Sequence, residues 1–196
     1  MTTNAISEAE NALRFTFKRF NPFMIWLFRL GLGWAVNIWP QVGGRIMVIT
    51  HTGRKSGLSR RTPVNYALID GDLYCTAGFG AISDWYRNIL AHPEVEVWLP
   101  REWRRGVAEE ISQDPRRILL LRQVIIASGV VGPMMGVDPR KMSDAEFDRV
   151  TSTYRLVRIR LQDRLRGPGG PADLAWIWIP VGLVVGLLIY WNRRRR

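Results

Sequence analysis

Apolar and polar positions follow each other in short runs along most of the chain. Ile46-Met47-Val48-Ile49 is continuous and apolar, and Val64-Asn65-Tyr66-Ala67-Leu68-Ile69 alternates. Runs of that length and composition, bounded by Gly or Pro, predict strands over 45–51, 63–69 and 72–77. Asp70-Gly71 between the last two is a two-residue hairpin signal. Further on, Val95, Val97 and Leu99 alternate with Glu94, Glu96 and Trp98, which predicts a half-buried strand. Another strand is expected near 103–111, and a last amphipathic one over 154–161. Helices are expected at 84–91, opened by Ser83 or Asp84, and from Asp114-Pro115 to about Ala127. A capping box, Ser143-Asp144-Ala145-Glu146, opens a third over 144–152, while 129–139 reads as loop. Short strands interrupted by short helices predict an α+β fold built on a small barrel rather than a doubly wound sheet.

The two ends read differently. Ser7-Glu8-Ala9-Glu10 is a capping box, followed by Leu13, Phe17, Phe20 and Met24 at helical spacing. Asn21-Pro22 is expected to break that helix and start a second one. Residues 23–39 are almost all apolar, interrupted by Arg29, Asn37 and two glycines. They predict a helix that lies on the barrel and dips into a membrane interface, helped by Arg14, Lys18 and Arg19. The charged, acid-bearing first 20 residues have the wrong order for a cleavable signal. Near the other end, Gly167-Pro168-Gly169-Gly170-Pro171 reads as a linker. Residues 174–191 then run for 18 positions without a charge, about 27 Å of helix, close to a bilayer's hydrocarbon core. Trp176, Trp178, Tyr190 and Trp191 sit at its ends as an aromatic belt would, and four arginines stop it. The expected organisation is interfacial helices over 1–40, a barrel over 41–162, a linker over 163–173, a transmembrane helix over 174–191 and a basic tail over 192–196.

Composition adds limits. One cysteine, Cys75, cannot form an intramolecular disulfide, and two unclustered histidines predict no metal site. His51 and His92 read as structural or loop residues. The net charge is +11, and residues 158–196 hold eight arginines against Asp163 and Asp173. More than half of the excess therefore flanks the apolar C-terminal segment, which suits an anionic membrane surface. The remaining cations group at one loop without interleaved aromatics, so no nucleic-acid partner is expected.

That loop is the chemically richest stretch. Gly53-Arg54-Lys55-Ser56-Gly57-Leu58-Ser59-Arg60-Arg61-Thr62-Pro63 carries four cations and no acid. Glycine lets a backbone approach a ligand closely, and free N–H groups beside Arg and Lys suit a phosphate-bearing partner. A solvated basic turn is the plain alternative. The spacing is not that of a Walker loop. No nucleophile and base pair stands at recognisable spacing, which fits an enzyme whose cofactor carries the reaction.

Thr50-His51-Thr52-Gly53-Arg54-Lys55-Ser56-Gly57, then Arg60 and Thr62-Pro63, resembles the start of the deazaflavin-dependent nitroreductase family. Ala77-Gly78-Phe79-Gly80, Asp84-Trp85-Tyr86-Arg87-Asn88-Ile89 and Ala91-His92-Pro93 look like that family's next motif. The likeness covers roughly residues 20–100. It implies a split β-barrel of the flavin mononucleotide-binding kind that binds coenzyme F420, to which the pattern above adds the N-terminal helix and the C-terminal transmembrane helix. Arg54, Lys55, Ser56, Gly57 and Arg60 would hold the phosphate and tail. Pro63, Ala77, Gly78, Phe79, Gly80, Trp85, Tyr86 and Asn88 would border the deazaflavin. The best-known members carry a Gly-Gly turn and Pro-x-Trp-Tyr where this chain has Gly-Phe-Gly and Asp-Trp-Tyr. No catalytic side chain is implied beyond Tyr154, the one tyrosine in the region where some relatives cover their substrate. The expected reaction is hydride transfer from the reduced deazaflavin to a lipophilic acceptor, a quinone first because the helices place the site at a bilayer, with nitroaromatics adventitious. A coenzyme made in the cytosol implies a domain on the cytoplasmic face of the plasma membrane, although the arginines before and after the anchor tie under the positive-inside rule. Barrels of this sort often pair, so a homodimer is open. So are two other readings, an FMN-binding or haem-degrading relative on the same barrel and a non-enzymatic basic membrane protein.

Overall fold

Six antiparallel strands close into a barrel in the order β1-β2-β3-β6-β5-β4. They are β1 (Ile46–Thr52), β2 (Ser59–Ile69), β3 (Asp72–Ala77), β4 (Glu94–Trp98), β5 (Trp103–Glu110) and β6 (Arg155–Arg164). This computed structural model describes residues 15–16 and 19–195. Its helices are α1 (19–29), α2 (Pro40–Gly43), α3 (Asp84–Ala91), α4 (Arg117–Ala127), α5 (Val131–Met134), α6 (Asp144–Val150) and α7 (Trp178–Arg194).

The barrel interior takes Met47, Ile49, Leu73, Cys75, Val97, Val157 and Ile159, all fully buried. Val48 points the other way and is buried too, because Phe28 of α1 and Trp98 cover it. Cover on both faces explains why β1 reads as a continuous apolar run rather than an alternating one. α4 covers the outside of β2 and β3 with Leu120, Leu121, Val124 and Ile125, packed on Ala67, Tyr74 and Leu156. Asp70 and Gly71 adopt φ of 51° and 89°, as a two-residue hairpin of right-twisted strands requires. Ser143 Oγ accepts from the Glu146 N–H at 3.3 Å, the expected cap of α6.

Several boundaries differ from expectation. The basic stretch is not all loop: β2 starts at Ser59, so Arg60 and Arg61 are strand residues opposite His51 and Thr50. The end of β4 supplies a partner that local sequence cannot reveal. Arg61 lies over the Trp98 ring, 4.4 Å from its centre. Asn21-Pro22 does not interrupt α1, which absorbs the one donor Pro22 lacks. The apolar stretch 23–39 is not one helix. It ends at Arg29, where Gly31 takes φ of 77° and closes the turn as a left-handed residue does. α4 begins at Arg117 rather than at Asp114-Pro115, and the expected loop over 129–139 contains α5. The capping box at Ser7, with Leu13, Arg14, Phe17 and Lys18, falls outside the described residues.

The Gly/Pro segment after β6 is held against α1. Arg29 donates to both carboxylate oxygens of Asp173 at 2.9–3.1 Å. The N–H groups of Ala172 and Leu174 donate to the carbonyls of Phe28 and Arg29, each at 2.9 Å. Trp178 Nε1 donates to the Leu30 carbonyl at 2.8 Å. α7 therefore leaves the barrel from the C-terminal end of α1. Ala175–Arg194 is long and apolar enough to cross a membrane, and none of it is buried. Phe23 and Trp26 of α1, and Trp34 and Trp39 after it, are exposed as well.

Candidate active site

β2 is paired along one edge only for half of its length. Residues 59–65 pair with β1, and pairing with β3 starts at Tyr66. Beyond that point β3 and the turn after it part from β2 and leave a cavity of about 620 Å³. The Tyr66 N–H donates to the Arg45 carbonyl at 2.9 Å. Backbone groups alternate sides along a strand, so those of Val64 and Thr62 also face β1, while those of Arg61, Pro63 and Asn65 face the open edge. Pro63, opposite Val48, thus occupies a position where the ladder needs no N–H.

The opposite wall is Thr76, Ala77, Gly78 and Phe79, with Met135 and Tyr154 beyond it. A Cβ at Gly78 would lie 3.2 Å from Met135 Cε and 3.8 Å from Tyr154 Cζ. Glycine keeps that wall flat. α3 closes one end with Trp85 and Asn88. Residues three apart share a helix face, so Trp85 and Asn88 face the cavity and the basic turn. Tyr86 and Ile89, on the neighbouring face, enter the barrel core.

Of the residues singled out from sequence, Arg60, Pro63, Ala77, Gly78, Phe79, Trp85, Asn88 and Tyr154 line this cavity. Lys55, Ser56 and Gly57 do not; they form the exposed tip of the β1–β2 turn, where Gly57 has φ of 66° and its N–H donates to the Gly53 carbonyl at 2.8 Å. Tyr86 is core, and burial raises the pKa of its hydroxyl. Gly80, with φ of 63°, is packed so closely on Thr153 that a Cβ would sit 2.7 Å from that carbonyl oxygen. Arg54 is turned inward. Its Nη2 pairs with Asp84 at 3.0 Å, and its backbone N–H and Nη1 both donate to Asn88 Oδ1, at 3.1 and 2.9 Å.

Sequence reasoning missed His51, Thr62, Asn65 and Thr76, which also line the cavity. The i, i+2 spacing of Arg60, Thr62 and Val64 was the available signal, once β2 is known to start at Ser59. His51 is 3% exposed and stands between Asn88 Nδ2 (3.2 Å from Nδ1) and Thr62 Oγ1 (3.0 Å from Nε2). Burial, with the charge of Arg60 adding to it, pushes the His51 imidazole down to about 4. The unfolded chain protonates this group near 6.5 and the folded chain only near 4. Between those values the unfolded state binds more protons, so stability falls as pH falls through that window and is independent of His51 above it. The whole effect is on the order of 3 kcal/mol. Urea midpoints measured from pH 7 to 4.5 are expected to fall less steeply for His51→Phe than for the parent; parallel curves would mean that His51 is not buried as a neutral ring.

A closed barrel with a side cavity, a free backbone edge and a cation at the rim is a ligand-holding barrel, and its class follows from sequence comparison. A profile of the F420H(2)-dependent quinone reductase family matches residues 30–131, just over half of the chain. The chain belongs to that family: it is an oxidoreductase, and its coenzyme is F420. No curated protein matches the chain significantly. Among solved structures it is similar to a conserved hypothetical protein, Rv2991, of Mycobacterium tuberculosis, at 21% identity over 61% of this chain and 74% of that one, TM-score 0.44. An F420-H2 dependent reductase, FDR-A, is similar at 23% identity over 60% and 94%, TM-score 0.44. HutZ, a haem storage protein of Vibrio cholerae, is similar at 12% identity over 71% and 96%, TM-score 0.45. At such scores the assignment rests on the family match alone.

Proposed function

We propose that this protein is a membrane-attached reductase that holds F420 in the cavity between β2 and β3 and reduces a lipophilic quinone. The observation that carries the reading is the open β2 edge facing flat Ala77-Gly78, with Arg60 beside them. Such a slot fits a planar ring with an anionic tail. When bound, the reduced deazaflavin supplies a hydride, and the quinone takes it with a proton from solvent to give the hydroquinol.

The side chains then divide the work. Arg60, exposed at the rim, pairs with the phosphate, and Lys55 at the turn tip reaches the tail carboxylates. Ser56 and Gly57 offer the backbone of that turn to the tail. Arg54 is engaged with Asn88 and Asp84, so it shapes the turn and lends positive potential. Pro63, Ala77, Gly78 and Phe79 border the ring, and Trp85 closes one end. Tyr154 and Met135, across Gly78, form the side from which the acceptor approaches. The fold in this reading is the split barrel of flavin mononucleotide-binding proteins. α7 crosses the bilayer, the outward aromatics of α1 lie in its interface, and the barrel stands on the cytoplasmic face of the plasma membrane.

One experiment tests these points together. The full chain is reconstituted into vesicles with a quinone dissolved in the bilayer, and oxidation of the reduced coenzyme is followed by fluorescence. The protein is expected to float with the vesicles after an alkaline wash and to turn over. Arg60→Ala is expected to weaken coenzyme binding by about 10- to 100-fold, as losing a charge-assisted contact does. Unchanged affinity would remove the tail from this rim, and protein that washes off the vesicles would remove the anchor.

A further inference from the structure

We propose that His51 is a positioning residue: in its neutral, Nε2-protonated form it fixes the Thr62 hydroxyl as a hydrogen-bond donor to an acceptor atom of the deazaflavin ring. The inference rests on the placement of F420 in the cavity.

The argument starts at Arg54. Its backbone N–H and Nη1 reach one atom of Asn88, at 3.1 and 2.9 Å. Both are donors and neither can accept, so that atom is the amide oxygen. The amide nitrogen of Asn88 must then be the group 3.2 Å from His51 Nδ1. An amide nitrogen only donates, so Nδ1 accepts and carries no proton. A neutral imidazole with a bare Nδ1 holds its proton on Nε2, which lies 3.0 Å from Thr62 Oγ1. Nε2–H therefore donates to the hydroxyl oxygen. Thr62 keeps its own proton, for which no acceptor is recorded among the described residues, and it lines the cavity.

The register makes this relay possible. His51 pairs with Arg60, and Thr62 is two residues further along β2, so both side chains stand on one face at diagonal positions. Each link has a single direction, from the cation at Arg54 to the cavity wall. Bonds aligned this way polarise one another. The outcome is a wall hydroxyl that prefers to give a proton, which selects a carbonyl oxygen or bare ring nitrogen at that place over an N–H.

Two measurements on the full chain in detergent test it. Nitrogen NMR of the imidazole, in a His92→Gln background that leaves one histidine, is expected to show the proton on Nε2 at pH 7. A proton on Nδ1, or a charged ring, overturns the proposal with no coenzyme present. Fluorescence titration with oxidised F420 forms the second arm. Thr62→Val is expected to bind about 5- to 30-fold more weakly, and Thr62→Ser within about twofold of the parent. His51→Phe is expected to lose a similar factor, and the double variant His51→Phe/Thr62→Val no more than Thr62→Val alone, because both act through one contact. Additive losses would make His51 a packing residue only. A parent that binds while Thr62→Val binds equally well overturns the donor role and leaves the coenzyme site standing. A folded parent that binds no F420 overturns that site, and the donor role with it.

Discussion

Gly78→Val is expected to lower F420 affinity by more than about 100-fold while the barrel stays folded. Gly78 is not among the glycines with positive φ, so its backbone accepts a β-branched side chain. The added Cβ meets only the flexible end of Met135, at 3.2 Å, and then the Tyr154 ring at 3.8 Å. Met adapts cheaply, so the fold should lose no more than about 1 kcal/mol. The two further methyls have nowhere to go but the cavity, where they take the plane a flat ring needs. Overpacking a rigid slot costs about 1–3 kcal/mol on its own, and the lost ring contacts add to it. Fluorescence titration against thermal melting separates the two effects. A valine variant that binds within tenfold of the parent would mean that the ring does not lie on Gly78.

The second large effect concerns Asn88. Asn88→Leu keeps roughly the volume and removes every polar partner of a side chain that is 3% exposed. The Arg54 N–H and guanidinium lose their shared acceptor, and His51 Nδ1 loses its donor. Each buried group left unpaired costs about 1–3 kcal/mol. The loss is expected to total about 3–5 kcal/mol in urea unfolding, a large part of a domain's stability. Little change would show that water replaces the amide and that the turn, the helix and β1 are not tied together through it. The same variant leaves Arg60 and Gly78 in place, so a fall in affinity beyond the fall in stability reports on the orientation of the turn.

Several features were legible before any coordinates because they depend on neighbours in sequence. Short apolar or alternating runs bounded by turn residues located the strands to within a few residues, apart from the early start of β2. Asp70-Gly71 and Ser143 carry their turn and cap in their own chemistry. Of the site residues named from the two motif blocks, seven line the cavity, Arg60 and Asn88 among them. What misled was the assumption that a motif acts as one surface. Trp85 and Tyr86 are adjacent, yet one lines the cavity and the other fills the core, since successive helical residues point about 100° apart.

Local pattern, then, was enough for the barrel class, the apolar terminal helix, the basic turn and the family. The tertiary structure alone decided which edge of β2 is left open, that Arg54 turns toward Asn88, and that His51 sits between Asn88 and Thr62. It also decided that Arg29 and Asp173, 144 positions apart, tie the last segment to the first helix. Periodicity states that a face is covered without saying by what. Hydrogen bonds between distant residues exist only once the barrel has closed and brought both ends into one place.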